Sequence, residues 1–121
     1  MQTAPKNFHK KLLGRIGEKI AVKHLKSLGY EILETNFTTD IGEIDIVCKD
    51  NEYLVLVEVK TRSSEKFGNP SEAVNYKKRE KYKNLANIYL IKHGNENVCC
   101  RFDVVEVIKK RVNHIINAFS V

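Results

Sequence analysis

Residues 42–60 read GEIDIVCKDNEYLVLVEVK. Val, Ile, Leu and Tyr dominate the stretch, and the polar run Asp50-Asn51-Glu52 divides it. β-Branched and aromatic side chains suit a pleated, half-buried surface. The stretch therefore predicts two strands, at about residues 43–49 and 53–61, joined as a hairpin, although the Gly that favours the tightest turns is missing. Asp45, Glu58 and Lys60 stand inside these apolar runs. A charge that loses its hydration without gaining a partner is costly, so the three residues need an explanation.

Alternation along a strand puts Leu54, Leu56, Glu58 and Lys60 on one face. If Asp50 opposes Tyr53 across a two-residue loop, Asp45 lies opposite Glu58. Directly opposed residues have Cβ atoms about 5 Å apart, and like charges there are destabilising. Lys60 offsets part of that repulsion. A divalent cation offsets more, because Mg²⁺ takes oxygen ligands at about 2.0–2.1 Å, typically one or two carboxylates with water and phosphate. Such an ion polarises a phosphoryl oxygen and acidifies a bound water. A neighbouring lysine can orient that water or stabilise developing negative charge. On spacing alone, a buried ion cluster or exposed charges on an edge strand account for the pattern slightly better than a metal site.

Outward from the hairpin, a first helix is expected over residues 10–28. Leu13, Ile16, Ile20, Ala21, His24 and Leu28 form its buried face, Glu18 lies on the flank of that face, and Gly29 ends it. A strand is expected at 30–36 and a loop at 38–42. Residues 63–74, SSEKFGNPSEAV, are a polar loop. A long helix spans 76–93, with Asn75 as its N-cap and an alternative, earlier start at Asn69-Pro70. Its apolar stripe is Tyr82, Leu85, Ala86, Tyr89 and Leu90, and Tyr76, Tyr82 and Tyr89 are assigned to the core. Another strand is expected at 98–108, then a short terminal helix holding Ile115, Ile116 and Phe119. The order α-β-β-β-α-β predicts one α/β domain with a mixed sheet and helices packed against it, including a parallel crossover through the long helix.

The 121 residues suit a single domain. No apolar run is long enough to span a membrane, and the opening MQTAPKNFHKK lacks a secretory apolar stretch, so a cytoplasmic location with no membrane partner is expected. Cys48, Cys99 and Cys100 form neither a disulfide framework nor a zinc pattern, and buried thiols on strands are the plain expectation. The net charge of +6 is unevenly spread: residues 1–30 carry +6, residues 31–59 carry −7, and residues 60–92 carry +6. Basic flanks suit a polyanion such as nucleic acid, and an acidic centre suits it only with cations in place. Solvated helix faces would give the same charge count.

Lys78, Tyr82, Leu85 and Tyr89 share a helix face, so Lys78 extends the buried stripe towards the helix N-terminus, where the dipole disfavours a cation unless an anion is near. Arg62, Lys77, Lys78 and Arg79, with Lys81 and Lys83, are candidate phosphate contacts. Glu43 is a candidate neighbour of Asp45, with a loop amide or Arg62 as its partner. Asp103 reads as a structural charge partner of Arg101, and His24 and His114 as structural.

In these residues the chain resembles the PD-(D/E)XK nuclease superfamily and, more closely, the YraN-like bacterial family of predicted endonucleases. The matching stretches are Gly17-Glu18-x-x-Ala21, residues 42–47, residues 57–62, Phe67-Gly68, Lys78, residues 101–105 and Asn117-Ala118-Phe119. The resemblance implies a restriction-endonuclease-like three-layer core with a mixed sheet of about four to five strands. It implies Asp45, Glu58 and Lys60 as catalytic residues. It further implies Asp45, Glu58, the Val59 carbonyl and Glu18 as ligands of Mg²⁺ or Mn²⁺. Ile44 replaces the Pro of the motif name, and Thr38 stands where a basic residue is expected in relatives. The expected activity is metal-dependent endonuclease cleavage of DNA rather than RNA, with branched or junction DNA as the candidate substrate. A non-catalytic nucleic-acid-binding module of the same fold is the alternative, and a structural protein with a buried ion-paired cluster is the third reading. A homodimer would supply two sites for two strands.

Overall fold

The computed structural model describes residues 6–62, 76–94 and 98–119. Its elements are α1 (Lys6–Ser27), β1 (Glu31–Thr39), β2 (Gly42–Asp50), β3 (Tyr53–Arg62), α2 (Tyr76–His93), β4 (Cys99–Ile108) and β5 (Arg111–Ile115). The five strands form one sheet in chain order. All neighbours are antiparallel except β3 and β4, which run parallel from Tyr53↔Cys99 to Arg62↔Ile108. The α/β class and the mixed sheet flanked by helices are as the sequence predicts.

Alternation along β3 divides the core. Leu54 and Leu56 point to α2, where they pack with Phe37, Tyr82, Leu85, Tyr89 and Phe102. Val55 and Val57 point the other way, to Ala21 and Leu25 of α1 and to Val105 and Val107. The helices thus cover opposite faces, giving three layers. Phe119 closes the α2 side by stacking on Phe102, with ring centroids 4.8 Å apart.

The hairpin register is the one inferred from the turn: Asp50 opposes Tyr53, and the pairing runs to Ile46↔Val57. Asn51, at φ 53°, supplies the left-handed turn conformation that Asn tolerates better than most residues. The expected loop at 38–42 is shorter than predicted, because β1 and β2 continue to Thr39↔Gly42. The expected terminal helix is replaced by β5. Lys109 and Lys110 both adopt positive φ, 49° and 77°, and fold the chain back so that Ile108 opposes Arg111. Lysines are not the usual residues of such a turn, so nothing local announced it.

The buried face of α1 also differs from expectation. Gly17, Ala21 and Leu25 face the sheet, whereas Leu13 and Ile16 are 41% and 48% exposed and Leu28 is exposed as well. Two small residues let the helix approach closely, and that contact outweighs the longer apolar side chains beside it. Tyr76, expected in the core, is 75% exposed. Cys48 is buried on its strand, but Cys99 is exposed. The 63–74 loop, the Asn75 cap, the alternative start at Asn69-Pro70 and the Phe67-Gly68 match lie outside the described residues. No helix among the described residues is long and apolar enough to cross a membrane.

Candidate active site

Asp45 sits where strand regularity fails. In β1, Thr35 opposes Ile46 and Phe37 opposes Ile44, while the intervening Asn36 turns to φ 54°. Ile44 and Ile46, two apart on β2, would share a face in a regular strand. Instead Ile44 packs into the α2 core and Ile46 into the α1 core. The β2–β3 pairing runs only as far as Ile46↔Val57. One step further, the Asp45 carboxylate accepts the Val59 N–H at 2.8 Å. A side chain thus takes the place of a backbone partner, and Asp45 is drawn across to the residue that separates Glu58 from Lys60.

Glu58 is held from the α2 side. Its Oε1 lies 2.5 Å from Lys78 Nζ and 3.3 Å from Lys60 Nζ. The Tyr82 hydroxyl also hydrogen-bonds Glu58, and burial together with that carboxylate pushes the phenol well above its ordinary range. Glu58 Oε2 is buried and accepts no hydrogen bond among the described residues. A buried, partnerless carboxylate oxygen is costly in a folded protein. The position of Lys78 on the inner stripe of α2 is therefore explained by its anion.

On the other side of the sheet, α1 and β2–β3 enclose an open cleft of about 960 Å³, whose lining includes Lys11, Arg15, Glu18, Glu43, Asp45 and Arg62. Glu18 hydrogen-bonds Asn36, and burial, with Glu43 nearby, raises its pKa. Burial is also the main cause that lifts Asp45 to about 6, aided by Glu18, Glu58 and Glu43 and opposed by the Val59 hydrogen bond. Four carboxylates therefore influence one another here, as the chain's acidic centre suggested.

The other predicted residues divide. Arg62 lines the cleft, and its Nε lies 3.1 Å from Glu106 Oε2. Lys77 is exposed, and Arg79 lies over the Phe119 ring at 5.9 Å, away from Asp45's cleft. Of the Lys77-Lys78-Arg79 run, Lys78 is the residue placed on Glu58. Asp103 has the structural role anticipated. It takes Arg101 Nε and Nη2 at 2.9 and 3.0 Å, His114 Nε2 at 2.8 Å and the Asn117 N–H at 2.9 Å. Although burial opposes its ionisation, the His114 and Arg101 bonds outweigh burial and hold its pKa below the usual carboxylate value. His24 and His114 are 3.1 Å apart within the same network. Sequence reasoning missed Lys11 and Arg15 at the cleft, which share a helix face with Glu18, and the hydroxyl of Tyr82, assigned only to the core.

Among the described residues, no three His, Cys, Asp or Glu side chains converge to hold an ion by themselves. Asp45, Glu58 and the Val59 carbonyl are oxygen donors of the kind that Mg²⁺ takes together with water and phosphate. The partnerless Glu58 Oε2 and the protonation-prone Asp45 fit such a cation.

The sequence matches the uncharacterised protein family UPF0102 over residues 17–107, a span containing Glu18, Asp45, Glu58, Lys60 and Lys78. A UPF0102 protein of Clostridioides difficile is 51% identical over 108 residues, covering 88% of this chain and 95% of its own. One from Thermodesulfovibrio yellowstonii is 49% identical, with the same coverage of both chains. One from Caldanaerobacter subterraneus is 44% identical over 121 residues, covering 94% and 99%. The chain belongs to the uncharacterised protein family UPF0102.

Proposed function

We propose that this protein is a Mg²⁺- or Mn²⁺-dependent DNA endonuclease of the PD-(D/E)XK type. The observation that carries the reading is the Asp45–Val59 hydrogen bond. It brings one carboxylate to the backbone between Glu58 and Lys60, just beyond the last β2–β3 pair. Asp45, Glu58 and the Val59 carbonyl would hold the ion, with Glu18 on the cleft wall beside them. The bound ion supplies Lewis-acid polarisation of the phosphoryl group and a more acidic water.

The chain's own groups then have separate tasks. Val59 N–H fixes one Asp45 oxygen, so the carboxylate is oriented before substrate arrives. Lys78 and Tyr82 hold Glu58 from the α2 side. The Lys60 ammonium, 3.3 Å from Glu58, would donate a hydrogen bond to an attacking water or to negative charge developing on phosphate. Basic flanks attract the polyanion, with affinity that falls as salt rises. A symmetric dimer would present two such centres to two strands.

One observation favours a second reading. Lys60 and Lys78 already neutralise Glu58, so the cluster can exist without an ion, as in a nucleic-acid-binding module that does not cut. A titration of Mg²⁺ and Mn²⁺ over labelled single strands, duplexes, flaps and four-way junctions separates the two. The endonuclease cuts only with the ion and not as Asp45→Ala. Binding that survives EDTA, with no cutting of any substrate, supports the module.

A further inference from the structure

The helix that walls the cleft touches the sheet at one point and leaves it a turn earlier. Gly17 lies so close to β3 that a Cβ there would overlap the Thr61 side chain, whereas a Cβ on Gly14 would meet nothing within 4 Å. α1 and β3 therefore part between these two glycines, and the cleft opens there. Lys11, Gly14, Arg15 and Glu18 fall at i, i+3, i+4 and i+7, which is one helix face. That face presents two cations, bare backbone between them, and then an acid. At about 1.5 Å per residue, Arg15 stands about 4.5 Å and Lys11 about 10.5 Å before Glu18 along the axis.

Lys11 and Arg15 are exposed, and neither forms an ion pair among the described residues. Solvated cations on a helix are ordinary. These two differ because they line the same cleft as Glu18, Glu43 and Asp45 without pairing with those acids. The cleft is thus cationic at its outer end and acidic at its inner end. An anionic chain satisfies both ends when one phosphate lies with a cation at the acids and the phosphates beside it lie on Arg15 and Lys11.

We propose that this cleft takes the sugar–phosphate backbone of a single DNA strand, with Arg15 and Lys11 on phosphates to one side of the cleaved one and Gly14 as the opening that lets the backbone approach the helix. The proposal rests on Asp45 and Glu58 being a metal-dependent nuclease centre. Arg15 and Lys11 form one line of cations on a single helix face, and such a line tracks one backbone.

The test uses the full chain. Cutting is measured in the otherwise wild-type protein. Binding of a labelled single-stranded oligonucleotide is measured with Mg²⁺ in the Asp45→Ala background, where no cutting is expected. Gly14→Leu should keep or raise the melting temperature, since its side chain enters open space. It should nonetheless weaken single-strand binding at least about tenfold and slow cutting. Lys11→Gln with Arg15→Gln should lower the slope of log affinity against log salt by about 1.4, two phosphates at about 0.7 each. A well-folded Gly14→Leu protein that binds single strands as tightly as its parent overturns the cleft assignment, while Asp45-dependent cutting by the wild type would still stand. An unchanged salt slope in the double variant also overturns it. A wild-type protein that neither binds nor cuts any DNA defeats the nuclease reading, and this inference with it.

Discussion

The Asp45 carboxylate accepts the Val59 N–H at 2.8 Å, while Glu58, the residue before Val59, is held by Lys78 at 2.5 Å and Lys60 at 3.3 Å. The two acids approach one stretch of β3 backbone under different constraints. Glu58 has two cations, whereas Asp45 has a backbone dipole and three acidic neighbours, Glu18, Glu58 and Glu43.

That asymmetry sets a pH dependence. Burial, followed by the neighbouring acids, raises Asp45 from 3.8 to about 6. The folded state therefore holds this proton more tightly than the unfolded chain does. The site's stabilising contribution is complete below about pH 4 and is lost as the pH rises through about 6, with a span of about 3 kcal/mol. In EDTA, Asp45→Asn should become progressively more stable than wild type between pH 4 and pH 7. Melting curves that stay parallel across that range would count against the assigned environment. Added Mg²⁺ at pH 7.5 should narrow the gap by binding the wild type.

The two lysines on Glu58 should separate in their effects. Lys60→Met should slow cutting about 10²–10⁴-fold, the range for loss of a positioned proton-transfer group, with little change in DNA binding. Lys78→Gln removes a positive charge that competes with a metal cation. It should tighten Mg²⁺ binding by calorimetry while lowering apo stability by about 1–3 kcal/mol, because Glu58 loses a partner. Weaker Mg²⁺ binding in a folded Lys78→Gln protein would contradict an ion at Glu58.

Asp103 should matter for stability and not for chemistry. It is buried, and it anchors Arg101, which also bonds Asp50 and the Tyr30 hydroxyl. Asp103→Ala leaves the guanidinium short of an anion and should cost about 3–5 kcal/mol in denaturant unfolding. Cutting per folded molecule should remain near wild type. A stable variant with no activity would move Asp103 into the site.

Two glycines of α1 should respond to the same substitution with opposite signs. Gly17→Ala forces a Cβ into the Thr61 side chain and should destabilise by about 1–3 kcal/mol, despite alanine's better helix propensity. Gly14→Ala meets nothing and should stabilise by up to about 1 kcal/mol. Thermal melts of the two variants test the helix–sheet contact directly.

Much of the fold was legible because it is local. Runs of β-branched and aromatic residues located β2 and β3, and a two-residue turn at Asn51-Glu52 set their register. The shared face of Glu58 and Lys60 followed from the same count. The misses have physical causes. Lys109 and Lys110 carry a turn without the residues that usually form it, so β5 was read as a helix. In α1, a search for long apolar side chains favoured Leu13 and Ile16, whereas the contact is made by Gly17, Ala21 and Leu25. Close packing needs small residues, and glycine carries no hydrophobic signal.

The sequence by itself determined the strand pair, its register and the acids and lysine within it, because these depend on alternation and turn length over some twenty neighbouring residues. Tertiary structure decided the rest of the site. The displacement of Asp45 onto Val59, the division of Ile44 and Ile46 between two cores, the ion pair of Lys78 with Glu58, and the cleft beside Lys11 and Arg15 all join segments far apart in the chain. Such contacts are set by how two helices pack on opposite faces of one sheet, and no local pattern encodes that distance.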